Sequence, residues 1–277
     1  MKNKRKIKFI KTLLLAVIIV CLVQIGRSYY LSMQHKAQQN TLKEMMETPS
    51  KYTTENTNDT PKAFLSILAD QNAQDLDSNK EQTENEPVIL SRYSDLYKEN
   101  SDLIGWLSID GMEIDYPVMQ CEDDEYYLHH DFYGNDSKYG CLYVRKEADI
   151  NTGSNFIIYG HNMKDGSMFG DLDSYLKESF YLEHPVISFD TLYEERTYEI
   201  IAVFQSQVYN EDEDTFKYYR FYEAATEKEF DDFYRNIKEL SLYDTGITAE
   251  FGDTFLTLST CAYHVTDGRL VVVAKRI

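Results

Sequence analysis

The stretch Thr254–Ile277 reads TFLTLSTCAYHVTDGRLVVVAKRI, and the fold turns on it. Thr254–Cys261 is dense in β-branched and aromatic residues and Leu270–Ala274 is a short apolar run, so both fit strands of a buried sheet. Only seven residues, Ala262 to Gly268, separate them. A parallel return needs a crossover of roughly a dozen residues or more, so the two strands are expected to be antiparallel neighbours. That pairing sets Cys261, at the end of one strand, beside Arg269 at the start of the next. A thiol attacks as its thiolate, and a fixed guanidinium both favours that anion and offers donors to an oxyanion. Cys261 is therefore a candidate nucleophile. The competing reading is a buried structural cysteine, the default for a lone cysteine in an apolar strand.

The N-terminus has the opposite character to the rest of the chain. Residues 1–36 carry eight Lys or Arg and no acid, while the remaining 241 residues carry 20 basic and 47 acidic groups. Thr12–Ile25 is apolar except for Thr12 and Gln24, and with Ile7–Lys11 it reaches membrane-spanning length if Lys8 and Lys11 extend toward the headgroups. The basic flank stays inside, which puts the remainder outside. A cleaved signal peptide is the alternative, but Gln24–Tyr29 holds no small-x-small cleavage site, and an uncleaved anchor over residues 1–27 is favoured. The acidic exterior argues against a nucleic-acid partner, whose phosphates it repels.

From Ser28 to Pro87 the composition is polar and poor in aromatics, which reads as a flexible stalk over residues 28–87 with a helical turn at Ala63–Leu68. Residues 88–277 hold most of the tyrosines and the one tryptophan, enough for a single domain with a sizeable core. A helix is expected at Ser91–Asn100. Short strand-like runs follow at Ile104–Ile109, Met112–Met119, Gly140–Arg145, Asn155–Tyr159, Val186–Phe189 and Thr197–Tyr209, before the terminal pair. Turn signals such as Asp110-Gly111 and Asp165-Gly166 punctuate them, and the pattern predicts an all-β barrel or sandwich. Thr226 with Glu229 forms a capping box that opens a helix whose Phe230, Phe233, Tyr234, Ile237 and Leu240 recur at helical spacing, a stripe expected to pack on the barrel.

His161 follows the apolar run Asn155–Tyr159 in NFIIYGHNMKDGSMF, so its imidazole is expected at a strand end, where it can act as acid or base near neutrality. His264, three residues after Cys261, is the rival partner, but it belongs to a loop. His129 and His130 are adjacent and point apart in most backbones. No Cys/His spacing fits a zinc site and no metal is assigned. Cys121 and Cys141 are permitted a disulfide in an exported domain, though nothing in the sequence demands one. Phosphate loops, Gly-x-Ser-x-Gly elbows and His-Glu-x-x-His runs are absent, which removes nucleotide chemistry and zinc hydrolysis.

TLSTC with Arg269 eight residues on, YGHNM around His161, and the entry segment DLIGWLSIDGMEIDYPVMQ together resemble a sortase, most closely of class B. The resemblance covers residues 88–277. It implies a mainly β fold, an eight-stranded sortase-type barrel with N-terminal helix or helices and a helix in the loop before the catalytic strand, where the capping-box helix lies. Position by position it gives Cys261 as nucleophile, His161 as general acid/base and Arg269 as oxyanion or substrate stabiliser, with Thr260 and Ser259 as substrate-binding positions.

The function implied is that of a membrane-anchored extracellular cysteine transpeptidase of a Gram-positive-type cell. It cleaves a C-terminal sorting signal after Thr and passes the acyl group through a thioacyl intermediate to a cell-wall amine. The implied partners are sorting-signal-bearing surface proteins, a peptidoglycan stem or cross-bridge amine, and the membrane; no cofactor is needed. Class B relatives suggest an Asn-Pro-x-Thr or Ser/Pro-Pro-x-Thr-Gly motif. The connection Gln205–Phe251, including the helix Thr226–Leu240, is expected to wall one side of the cleft and limit water's access. A cysteine endopeptidase, a pilus-polymerising sortase and a non-catalytic anchored binding module are the alternatives.

Overall fold

Strands in this chain read as near-continuous apolar runs because most are covered on both faces. The computed structural model describes residues 2–48, 88–263 and 265–277, in which eight strands close into one barrel. They are β1 (Leu103–Ser108), β2 (Asp115–Met119), β3 (Leu142–Val144), β4 (Asn155–Gly160), β5 (Val186–Thr191), β6 (Thr197–Gln207), β7 (Phe255–Cys261) and β8 (Gly268–Arg276). Around the barrel they run β1-β2-β3-β4-β7-β8-β6-β5, back to β1. The pairs β2/β3 and β4/β7 are parallel and the rest antiparallel. Among the described residues five α-helices accompany them: α1 (Lys2–Glu47), α2 (Ser91–Glu99), α3 (Tyr126–His129), α4 (Glu178–Glu183) and α5 (Glu227–Leu240).

The period-two alternation sorts side chains into two cores. Phe156, Ile158, Leu256, Leu258, Leu270 and Val272 fill the barrel with Leu107, Val118 and Phe189. Their neighbours Ile157, Phe255, Val271 and Val273 face outward under Phe230, Phe233 and Ile237 of α5. The capping box is formed as the sequence indicates. The Thr226 hydroxyl accepts from the Glu229 N–H, and the Glu229 carboxylate accepts from the Thr226 N–H. Helix α5 therefore begins where its cap can satisfy two end donors, and its apolar stripe packs on β6 and covers outward side chains of β4, β7 and β8.

Helix α1 departs from the reading of a stalk that starts at Ser28. Its N-terminal part is apolar enough, and the helix long enough, to cross a membrane. The helix then continues without a break to Glu47, and its second half docks on the barrel. Leu42 is fully buried beside Tyr93 and Leu96 of α2. Lys43 pairs with Asp115 at 2.8 Å, the Ser32 hydroxyl donates to Asp165 at 3.0 Å, and His35 stacks on Tyr139 with centroids 4.2 Å apart. A polar composition reads as unstructured because it cannot bury much apolar surface by itself. Here the helix borrows a surface from the domain, so a few apolar and paired charged positions suffice. From Ile25 to Ser32 a helix rises only about 10 Å, so the barrel is tied close to the end of the apolar segment. The expected turn at Ala63–Leu68 lies outside the described residues.

Candidate active site

The register of β7 against β8 pairs Cys261 with Arg269, as the seven-residue link requires. What the link does not dictate is the other side of β7. There β4 lies parallel, with Tyr159 opposite Ser259 and Gly160 opposite Thr260, so the next residue, His161, leaves β4 level with Cys261. Gly160 is required by close approach: a Cβ there would come within 2.4 Å of the Leu142 side chain and 2.7 Å of Phe169. Alternation then puts Tyr159 of β4 and His161 just beyond it, Ser259 and Cys261 of β7, and Arg269 and Val271 of β8 on the same outer face at one end of the barrel.

Three backbone contacts hold this end. The Asn162 side-chain amide donates to the Cys261 carbonyl at 2.8 Å and ties the two strand exits together. The loop after His161 closes on itself through Phe169 N–H to the His161 carbonyl at 2.9 Å. Met168, at the loop's turn, is buried with φ +55°, a left-handed conformation costly for a non-glycine residue and kept here by the surrounding packing. Third, His161 Nε2 lies 2.8 Å from the Leu128 carbonyl. A carbonyl only accepts, so Nε2 carries the hydrogen and Nδ1 is the nitrogen left to exchange a proton.

Arg269, paired with Cys261 across β7 and β8, turns its Nη1 onto carbonyls of its own loop, Asp267 at 3.2 Å and Gly268 at 2.9 Å. Cys261, His161 and Arg269 are all partly exposed. Ser259 and Thr260 are not: they are 1% and 2% exposed. The Thr260 hydroxyl donates to the Gly160 carbonyl at 2.8 Å, and the Ser259 hydroxyl bonds the Tyr218 hydroxyl at 2.8 Å. Both hydroxyls are thus spent on seating β4 and the β6–β7 connection against β7. His130 stacks on Tyr126 with its Nδ1 on the Tyr126 carbonyl, away from the site, and His264 lies outside the described residues. Cys121 and Cys141 are free thiols, and burial pushes both up from the ordinary thiol range.

A cleft of about 720 Å³ opens beside Arg269, lined chiefly by Tyr143, Arg145, Tyr159, Tyr218, Arg220 and Tyr222. The 3₁₀ turn Tyr218–Arg220 and its flanks form one wall, so the β6–β7 connection does line the cleft. Helix α5 backs the barrel and contributes no residue to that lining. Sequence reasoning missed Asn162, Arg145, Tyr159 and this tyrosine wall. The run FKYYRFY at 216–222 carried the one available signal, an aromatic density too high for a loop exposed to water.

Residues 107–277 match the family model of the sortase domain. The chain is 36% identical over 192 residues to Sortase B of Listeria monocytogenes, an alignment covering 68% of this chain and 75% of that protein. Among solved structures, sortase B of Bacillus anthracis in complex with AAEK1 superposes with a TM-score of 0.65 at 29% identity, covering 89% of this chain and 99% of that one. The Staphylococcus aureus sortase B–substrate complex superposes with a TM-score of 0.68 at 25% identity, covering 90% and 98%. With the eight-stranded barrel, its N-terminal helix and a helix before β7, these matches make the chain a member of the sortase family, class B, and so a cysteine transpeptidase.

Proposed function

We propose that this chain is held in the membrane by the first half of α1, N-terminus inside, and works outside on two peptide ligands. Cys261 gives its thiol proton to His161 Nδ1, the resulting thiolate attacks the carbonyl carbon of a sorting-signal threonine, and the oxyanion that forms is met by the Arg269 guanidinium. As the C–N bond breaks, His161 gives its Nδ1 proton to the leaving amine, and a thioester joins the surface protein to Cys261. A peptidoglycan stem or cross-bridge amine then attacks the thioester, losing a proton to His161. The thiolate leaves, and a new amide links the surface protein to the wall. Thr260 and Ser259 serve the substrate through strand placement, since their hydroxyls are engaged below the surface.

The observation that carries this reading is the convergence at one barrel end of Cys261 opposite Arg269 on β8 and level with His161 leaving β4. The basic N-terminal flank and the acidic remainder support the orientation. The test incubates the detergent-solubilised chain with a sorting peptide and a rising concentration of triglycine, separating hydrolysed from amine-linked product. Amine-linked product should displace hydrolysis as the amine rises. Hydrolysis indifferent to any cell-wall amine would leave a cysteine endopeptidase instead.

A further inference from the structure

The cleft beside Arg269 has a charge at odds with the molecule around it. In a chain with a formal net charge of −19, its lining holds three arginines, Arg145, Arg220 and Arg269, against two glutamates, Glu147 and Glu211. Two of the three are already engaged. Arg220 pairs with Glu211 at 3.3 Å, and Arg269 donates to its own loop. Arg145, like Arg269, has no carboxylate within 4.0 Å among the described residues, and its side-chain partner is the neutral Tyr222 phenol. Its guanidinium is also laid over the Tyr159 ring, 5.3 Å from the centroid, and the Tyr159 ring in turn stacks on Tyr143 at 5.5 Å.

Tyr159 is the second polar group of this wall, with the Tyr222 phenol as its neighbour. Its hydroxyl is buried beside Tyr222 yet makes no hydrogen bond of ordinary geometry. Burial, with the neighbouring Tyr222 and Tyr218 phenols, holds it well above the usual phenol range, so it remains a neutral O–H donor. The Arg145 guanidinium meets a phenol, Tyr222, and no carboxylate, and its fork geometry suits a carboxylate.

We propose that this cleft binds a carboxylate carried by one of the two peptide ligands of the reaction, and that Arg145 is the residue that selects it. The proposal rests on the transpeptidase reading above. The tyrosine walls suit a peptide, and the excess of one positive charge suits a singly charged group, since Glu147 and Glu211 oppose a second negative charge. The carboxylate comes either from a side chain of the sorting signal or from the acceptor. The acceptor's carboxylate would reach the cleft once Cys261 is acylated.

Two arms of one experiment separate these sources, using the full chain in detergent. In the first, sorting peptides with an Asn-Pro-x-Thr or Pro-Pro-x-Thr-Gly core carry Glu, Gln or Lys in turn at each position flanking and within the core, and thioacyl formation on Cys261 is timed. In the second, one peptide is fixed and the acceptor is triglycine or triglycine amide. One arm should show a preference for the carboxylate ligand of roughly tenfold in kcat/KM. The Glu/Gln or acid/amide ratio should fall to about one in Arg145→Gln, and Arg145→Glu should turn the first-arm preference toward Lys. No carboxylate preference in either arm, while the adduct on Cys261 still forms, overturns the proposal alone. So does a loss in Arg145→Gln that falls equally on charged and uncharged ligands. Failure of any peptide to form the adduct removes the transpeptidase reading, and the proposal with it.

Discussion

Replacing Asn155 with Ala strikes the joint between the barrel and the cleft wall. Asn155 and Thr257 are each 1% exposed, on neighbouring strands β4 and β7. The Thr257 hydroxyl donates to Asn155 Oδ1 at 2.8 Å, and Asn155 Nδ2 donates to the Phe221 carbonyl at 2.8 Å. Phe221 lies between Tyr219 and Tyr222, both in the wall, so this side chain joins the Ser259–Tyr218 bond in pinning the β6–β7 connection to the barrel. Alanine removes both bonds and strands a buried hydroxyl and a carbonyl. At about 1–3 kcal/mol for each stranded group, partly relieved by relaxation, the loss should be on the order of 2–4 kcal/mol. Urea unfolding of the full chain in detergent measures it. In a Thr257→Val background no hydroxyl is stranded, so Asn155→Ala should cost less by about 1–2 kcal/mol. A loss below about 0.5 kcal/mol, or additive single and double changes, would refute the claim that this pair holds the wall.

Further outcomes follow from the same geometry. Cys261→Ala should abolish turnover without unfolding the barrel, His161→Ala should be severely impaired, and Arg269→Lys should lose on the order of a hundredfold in kcat because an ammonium does not reproduce the planar fork; a His161→Ala enzyme that stays active while His264→Ala is dead would overturn the assignment. The hydrogen on His161 Nε2 should be visible by nitrogen NMR as the Nε2–H tautomer at neutral pH, and a dominant Nδ1–H form would contradict the Leu128 contact.

Docking of α1 should weaken in acid. Burial holds His35 at about 4 against an unfolded value near 6.5, a lowering that Asp165 and Asp131 only partly offset. His35 therefore charges more readily once undocked, and its contribution, complete above that unfolded value, is lost as pH falls from about 6.5 toward 4. Asp165 follows in the same direction. Burial opposes its ionisation, but donors from Ser167, Ser32 and Tyr139 outweigh burial and hold it below the usual carboxylate range, so its share disappears at still lower pH. Hydrogen exchange over residues 28–48, corrected for intrinsic rates, should lose protection between pH 7 and pH 4.5. Protection independent of pH would refute this.

The sequence by itself determined whatever depends on neighbours along the chain. A seven-residue link leaves β7 and β8 one way to pair, which fixes Cys261 opposite Arg269. Thr226 and Glu229 stand at the spacing of a reciprocal cap, and α5 starts there. An apolar run ending in Gly160-His161 gave a strand with a histidine at its exit. Tertiary structure alone decided the rest, because those contacts join segments about a hundred residues apart and arise from closing the barrel. No local pattern says that β4 lies parallel to β7, yet that pairing brings His161 level with Cys261. Residues from Ser28 to Glu47 look too polar to order themselves, and they are ordered by the surface they lie on. Arg145, Tyr159 and Tyr218 come from three separate stretches and share a cleft only because β3, β4 and the β6–β7 connection meet over one face. Side-chain chemistry is written in each stretch. Which stretches meet is set by the lowest-energy way of burying all their apolar faces at once, a property of the whole chain.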